Sequence, residues 1–276
     1  MHVAILVPFR DAPGQNRAAH LRCLCDGLPR VLAAACGPHT FRIYIGHAVE
    51  DGRPFARGRV LNALYQLSMH SAQPPARVIL HDVDLLPDAT RAAAYFDFSA
   101  PVLALARHGG EYEGMRNYIG GVLALPPSVY AAVNGFPNEM EGWGGEDDAM
   151  HDRLSALGVD VVAPAQGSMR NLELEPDTAG SVRARDAAAC PKPERRALRQ
   201  RWKSRDAALS GAAELRFSAA PLSPDAATGS GPLCAQYRVL APVQLRPPWH
   251  MAFSSTTRLP YFANADTGDK TYVPPQ

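Results

Sequence analysis

A chain of 276 residues suits one large domain or two small ones, a single α/β domain being the default, and is long enough to bury a substantial core. Charged residues make up 20% and the formal net charge is +1, so there is no electrostatic footprint for nucleic acid and no nucleic-acid partner is expected. Cys23, Cys25, Cys36, Cys190 and Cys234 are odd in number and lack C-x-x-C spacing, which argues against a disulfide framework and a zinc site. Cys23 and Cys25 lie in an apolar helical pattern that suits buried thiols.

Residues 2 to 9 (HVAILVPF) form a short apolar run closed by a polar loop with Gly and Pro, as a buried parallel strand would. Leu21, Leu24, Leu28 and Leu32 then recur at helical steps, although Pro29 is expected to kink or divide that helix. A second strand fits FRIYIGHA (41 to 48), and Leu61, Leu64 and Leu67 mark a second helix. RVILHDVDLLP (77 to 87) reads as a third strand that runs into acidic residues. This alternation predicts right-handed βαβ units and a mostly parallel sheet.

A helix over 88 to 96 is followed by PVLALA (101 to 106), a Gly-rich loop (108 to 117) and IGGVLAL (119 to 125). Pro126 and Pro127 start a helix through Val133, with Gly135 as its stop. After a loop over 136 to 145, a helix is expected from Glu146 to Leu157, ended by Gly158 and followed by VDVVAP (159 to 164). Further on lie a basic helical stretch (193 to 209), an inserted low-complexity loop (218 to 232) and an irregular tail over 251 to 276. No apolar run is long enough to cross a bilayer, so no membrane anchor is expected in this chain.

Open α/β sheets bind ligands beyond the carboxyl ends of their strands. Asp82 and Asp84 fall there, and on an extended segment their D-x-D spacing sends both side chains to one side. Two converging carboxylates make a hard oxygen site for Mg2+ or Mn2+, and the alternative is a solvated acidic turn. Arg10 and Arg17 flank the end of the first strand, and Arg57 and Arg59 open the second helix after Phe55. Each is placed either as a surface arginine or as a guanidinium meeting an anion at a helix start. Glu146, Asp147 and Asp148 suit the first turn of a helix through its macrodipole. That role leaves Trp143 among Gly142, Gly144 and Gly145 unexplained, whereas an indole beside close-approaching backbone is a platform for a sugar ring. A carboxylate next to such a platform can act as general base.

These residues together resemble the β-1,4-galactosyltransferases. The resemblance runs in order through VPFR (7 to 10), Arg17 with His20-Leu21, F-x-R (55 to 57) with Leu61-Asn62, HDVDLLP (81 to 87), YIGGVLAL (118 to 125), NGFPN (134 to 138), GWGGEDD (142 to 148) and, more loosely, QYRVL (236 to 240). HDVDLLP and GGVLAL look most similar to the branch that adds galactose to xylose. The resemblance implies a GT-A type nucleotide-diphospho-sugar transferase fold, α/β with a Rossmann-like, mostly parallel central sheet. It implies one catalytic domain over 1 to 276, with a nucleotide-binding half (1 to 100) and an acceptor-binding half (101 to 250). It further implies UDP-galactose as donor, a saccharide or glycoconjugate acceptor, and Mn2+ as cofactor.

The same resemblance casts Asp147 as the base that deprotonates the acceptor hydroxyl and Asp148 as an acceptor-binding residue. Trp143 would sit between donor and acceptor, and Glu146 would contact the donor sugar. Arg10, Arg17, Phe55, Arg57, Asp82, Gly121 and Gly145 join the substrate-binding set, and Tyr118 would crowd the 2-position of the donor sugar. Asp84 is the expected metal ligand. Where the family carries histidine ligands, the stretch SMRNLELE (168 to 175) has Asn171 and Glu173, an amide and a carboxylate oxygen in their place. Animal members are anchored in the Golgi by an N-terminal membrane helix, whereas this sequence opens on the first strand, so the expectation is a soluble cytoplasmic enzyme, or a Golgi-luminal one if an anchor has been trimmed. The alternatives are transfer to N-acetylglucosamine, use of UDP-N-acetylgalactosamine, a member that binds without turnover, and a metal-dependent phosphohydrolase.

Overall fold

The computed structural model describes residues 1–12, 14–108, 113–115, 117–142, 144–175, 210–222, 233–241, 243 and 248–275. The chain opens with β1 (His2–Phe9), α1 (Arg17–Ala35), β2 (Thr40–Ala48), α2 (Arg57–Met69) and β3 (Arg77–His81). There follow β4 (Leu85–Pro87), α3 (Ala89–Ala93), β5 (Val102–Ala104), β6 (Val122–Leu125), α4 (Pro127–Ala132), α5 (Glu146–Ala156), β7 (Val161–Val162) and β8 (Met169–Asn171). Beyond them come β9 (Ser218–Pro221), β10 (Cys234–Leu240), β11 (Trp249–Phe253), β12 (Pro260–Asn264) and β13 (Lys270–Thr271).

The main sheet has the order β7-β5-β6-β3-β1-β2-β10-β9. Its centre, β3-β1-β2-β10, is parallel, and antiparallel strands flank it on both sides. Alternation along β1 explains why the sheet is covered on both faces. Val3, Ile5 and Val7 pack with Leu21, Leu24, Leu28 and Leu32 of α1, whereas Ala4 and Leu6 pack with Leu61, Leu64 and Leu67 of α2. Burial on both faces is what makes the parallel strands read as continuous apolar runs.

Several expectations are corrected. Pro29 does not divide α1, which runs unbroken from Arg17 to Ala35. The tail is not irregular, because β11, β12 and β13 form a three-stranded antiparallel sheet. Its alternation was hidden by Pro260 and by short strands. The expected loop over 218 to 232 begins with β9, and its residues 223 to 232 lie outside the described set, as does the basic stretch 193 to 209. Of the expected Cys23 and Cys25 thiols, Cys25 is buried and Cys23 half-buried.

The expected third strand breaks after His81. Asp82 to Asp84 form a turn in which the Leu85 N–H reaches the Asp82 carbonyl at 3.4 Å, and Leu85–Pro87 form a separate strand, β4. β4 pairs with β8 in the register Leu85↔Asn171, Leu86↔Arg170 and Pro87↔Met169. That local ladder carries the stretch after β8 back to the acidic turn, where the Leu172 N–H donates to the Asp84 carbonyl at 2.8 Å. Among the described residues, no helix is long and apolar enough to cross a membrane.

Candidate active site

The loops beyond β1 and β3 and the first turns of α1, α2 and α5 face one edge of the sheet, and two arginines organise the acids there. Arg57, the first residue of α2, donates from Nε to Asp82 Oδ1 at 2.6 Å and from Nη1 to Asp147 Oδ1 at 2.9 Å. Its Nη1 also lies 4.0 Å from Glu146 Oε1, and the guanidinium sits 5.7 Å from the Phe136 ring centroid. Arg17, the first residue of α1, bridges Asp84 through Nη1 and Glu173 Oε1 through Nη2, the latter at 2.7 Å. The two nodes adjoin, since Asp82 and Asp84 share one turn. The carboxylates of Asp82, Asp84, Glu146, Asp147 and Glu173 therefore outnumber the two guanidiniums that neutralise them.

The convergence of Asp82 and Asp84 has a different cause from the one expected. No extended segment aligns them; each is drawn to its own arginine from a turn. Pairing of this kind fixes geometry more than it stabilises the fold, because withdrawing charges from water offsets their attraction.

The first turn of α5 holds Glu146, Asp147 and Asp148, as the macrodipole favours, with Gly145 as N-cap at φ 97°. Glu146 is buried, and its carboxyl is pushed up to about 7, first by burial and then by the charge on Asp147. Asp147 is half-buried and Asp148 exposed, so the turn presents one carboxylate to the cleft edge and one to solvent. The Asp147 carboxylate lies against Gly120, and a Cβ there would collide with Asp147 Oδ2 and come within 2.9 Å of the Tyr118 ring. Glycine at 120 is thus a steric condition for bringing Tyr118 and Asp147 together. A Cβ on Gly121 would stand 2.8 Å from Leu85 and 3.4 Å from the Tyr118 hydroxyl, so Tyr118 folds over this strand entry.

Arg10 and Phe55 form a third group. The Arg10 guanidinium lies 5.3 Å from the Phe55 ring centroid and donates to the Arg53 carbonyl at 2.8 Å, at the mouth of a recess that Pro54, Ala56 and Val239 also line. Asn171 is close to the Arg17 node, and its Oδ1 accepts the Glu173 N–H at 3.0 Å, capping the turn that holds Glu173. Trp143 lies outside the described residues. Arg59 does not face an anion position; it is buried, donating to the Asn138 and Ala241 carbonyls and pairing with Glu141 at 2.7 Å.

Sequence reasoning quoted Asn62 and His81 only as parts of motifs and did not single out Arg153, so it missed the role of the residues that aim the site. Asn62 makes four hydrogen bonds: Nδ2 donates to the Phe136 carbonyl and Asn138 Oδ1, while Oδ1 accepts from the Tyr130 hydroxyl and the Phe136 N–H. Arg153 of α5 is buried, and its Nη1 donates to the Gly135 carbonyl at 2.7 Å and to Asn134 at 3.2 Å beyond the end of α4. His81 donates from Nδ1 to the Asp82 carbonyl at 2.8 Å, and burial pushes its ring down to about 4, so it stays neutral behind the acidic turn. Beyond the motif matches at Asn62 and His81, the signal for these was polar residues on otherwise apolar faces.

The donor set near Arg17 suits a hard divalent ion in kind, since Asp84 and Glu173 both offer carboxylate oxygens to one cationic group. Among the described residues no three His, Cys, Asp or Glu side chains gather as a complete cage, so a cation there would draw its remaining ligands from substrate phosphate and water.

The mostly parallel sheet, with acids and arginines at its carboxyl edge, has the GT-A type of fold, the class of nucleotide-diphospho-sugar transferases, as its structural neighbours show. The catalytic domain of Drosophila β1,4-galactosyltransferase 7, solved with xylobiose, superimposes with a TM-score of 0.66 at 19% identity, covering 87% of this chain and 93% of that one. A mutant of the same enzyme, solved with manganese, UDP-Gal and xylobiose, gives 0.65 at 20% identity over the same shares. Family profiles described as the N-terminal region of glycosyl transferase group 7 and the N-terminal domain of galactosyltransferase match residues 1–95 and 101–175, together more than half of the chain. The chain belongs to the β-1,4-galactosyltransferase family. Human β-1,4-galactosyltransferase 3 is 34% identical over 164 residues and mouse β-1,4-galactosyltransferase 1 is 34% identical over 165. These alignments cover 58% and 59% of this chain, which spans 39% of the length of each relative.

Proposed function

We propose that this chain is an inverting, metal-dependent glycosyltransferase that moves galactose from UDP-galactose to a sugar hydroxyl in β-1,4 linkage, with a xylose-type acceptor favoured. The observation that carries the reading is the Arg57 bridge, which holds Asp147 at the start of α5 against Asp82 after β3. A half-exposed carboxylate thus stands beside an edge that offers guanidiniums for phosphate and carboxylates for a cation, which is what supports a nucleotide-sugar reading.

Asp147 takes the proton from the acceptor hydroxyl. The acceptor oxygen then bonds to the anomeric carbon while the bond to the diphosphate breaks, its electron pair leaving on UDP. Glu146, buried with its carboxyl pushed up to about 7, is suited to hydrogen-bond a donor-sugar hydroxyl in either protonation state. Arg17 and Arg57 would meet the diphosphate, and Arg10 with Phe55 would frame a recess for the base. Mn2+, when bound through Asp84 and Glu173 with Asn171 beside them, would supply charge that stabilises the leaving diphosphate. Xylobiose in the Drosophila neighbour is the support for a xylose-type acceptor, and UDP-Gal with manganese in the mutant supports the donor and the ion.

A second reading, a member that binds a nucleotide sugar without turnover, is favoured by one observation: Arg17 already occupies both carboxylates of the cation site. UDP release from UDP-galactose, measured with and without a xyloside and Mn2+, separates the two. Release that needs both additions supports transfer. Tight UDP binding with no release under any combination supports the binding member.

A further inference from the structure

Building on the cation site of the proposed function, we propose that Arg17 is the resident counter-ion of that site, and that a divalent cation and the Arg17 guanidinium occupy it in turn. Three observations lead there. Arg17 spans two carboxylates from distant parts of the chain, Nη1 on Asp84 and Nη2 on Glu173 at 2.7 Å, with Nε on Gln15 at 3.3 Å. The side chains of Arg17, Asp84 and Glu173 are only 15%, 14% and 13% exposed, so neither carboxylate is neutralised by bulk water. The β4–β8 ladder and the Leu172 N–H to Asp84 carbonyl bond hold the backbone of the two acid-bearing segments together independently of Arg17.

A cation taking oxygen from both acids must take over the guanidinium's partners, because two positive groups held by the same pair of carboxylates repel strongly at such range. The displaced arginine stays at the first turn of α1, facing the edge where a diphosphate would lie, and a guanidinium there is matched to phosphate oxygens. Without nucleotide, the site is thus neutralised from within and holds a free cation weakly. With nucleotide, the diphosphate receives the arginine and leaves both carboxylates to the ion. Cation and nucleotide then bind with positive coupling, and Arg17 carries part of that coupling.

Mn2+ titrations followed by electron paramagnetic resonance test this in wild type, Arg17→Met and Arg17→Lys, each with and without UDP. In the absence of UDP, Arg17→Met is expected to bind Mn2+ about tenfold tighter than wild type. Arg17→Lys is expected to fall between, since an ammonium cannot fork across two carboxylates. The enhancement of Mn2+ binding by UDP should shrink in Arg17→Met. Equal or weaker UDP-free Mn2+ binding in Arg17→Met would overturn the proposal while leaving the cation site standing. If Arg17→Met does not fold, the same result in Arg17→Lys overturns it. No Mn2+ binding in any protein, even with UDP, would instead remove the cation site itself.

Discussion

Asp147 and Glu146 are neighbours with opposite surroundings, one half-exposed on Arg57 and the other buried. Asp147→Asn keeps the shape and the contact to Arg57 but not the basicity, so kcat should fall about a thousandfold while UDP affinity stays within about threefold. A parallel loss of nucleotide binding, read by calorimetry, would count against the base assignment. Glu146 makes a separate prediction about stability. Its carboxyl titrates near 7 in the folded chain instead of 4.5, so between those values the folded state binds more protons than the unfolded one. Stability is then highest below about pH 4.5 on this account and falls as pH rises toward 7. Glu146→Gln should gain on wild type by up to about 3 kcal/mol across that window in urea melts. Parallel pH curves for the two proteins would show that Glu146 titrates normally. The types and positions of these acids were legible in GWGGEDD, whereas the split between them was not, because burial depends on what packs over α5.

At the scale of elements, the site depends on how the segment 134–142 and α5 are held to α2 and α4. Asn62 does this with four hydrogen bonds, and removing it strands the Tyr130 hydroxyl and the Phe136 N–H in a buried setting. Asn62→Ala should cost about 3 kcal/mol in urea unfolding. A loss below about 1 kcal/mol would mean that water replaces the amide. Tyr118, packed over Gly120 and Gly121, belongs to the same scale because its position is set by the entry to β6. A packed ring resists added volume, so Tyr118→Leu should raise the rate with UDP-N-acetylgalactosamine relative to UDP-galactose. Equal use of both donors by the wild type would remove Tyr118 as the gate. Helices were readable here because their apolar spacing survives, as at Leu61, Leu64 and Leu67. The break between β3 and β4 was not, since His81-Asp82-Val83-Asp84-Leu85 alternates as a strand does, and the turn is set by the Leu85 N–H to Asp82 carbonyl bond and the long-range pairing of β4 with β8.

Across the whole molecule, the parallel centre of the sheet was legible because strands buried on both faces are uninterrupted apolar runs, as in His2–Phe9 and Arg77–His81. The sheet order was not, since β10 comes late in the chain yet pairs with β2, and no local pattern encodes that long-range contact. The C-terminal strands β11 to β13 were missed for a related reason: short, half-exposed strands carry little periodic signal. The fold nevertheless delivers Arg17, Arg57, Asp82, Asp84, Asp147 and Glu173 to one edge from five separate stretches of the chain, and the proposed transfer rests on that convergence. Proton NMR of wild-type protein incubated with UDP-galactose, a xyloside and Mn2+ reads that outcome directly. A β-linked galactosyl product, formed in step with UDP and absent when Asp147→Asn replaces the wild type, is the expected result; an α-linked product, or UDP formed with free galactose and no glycoside, would contradict inverting transfer by this site.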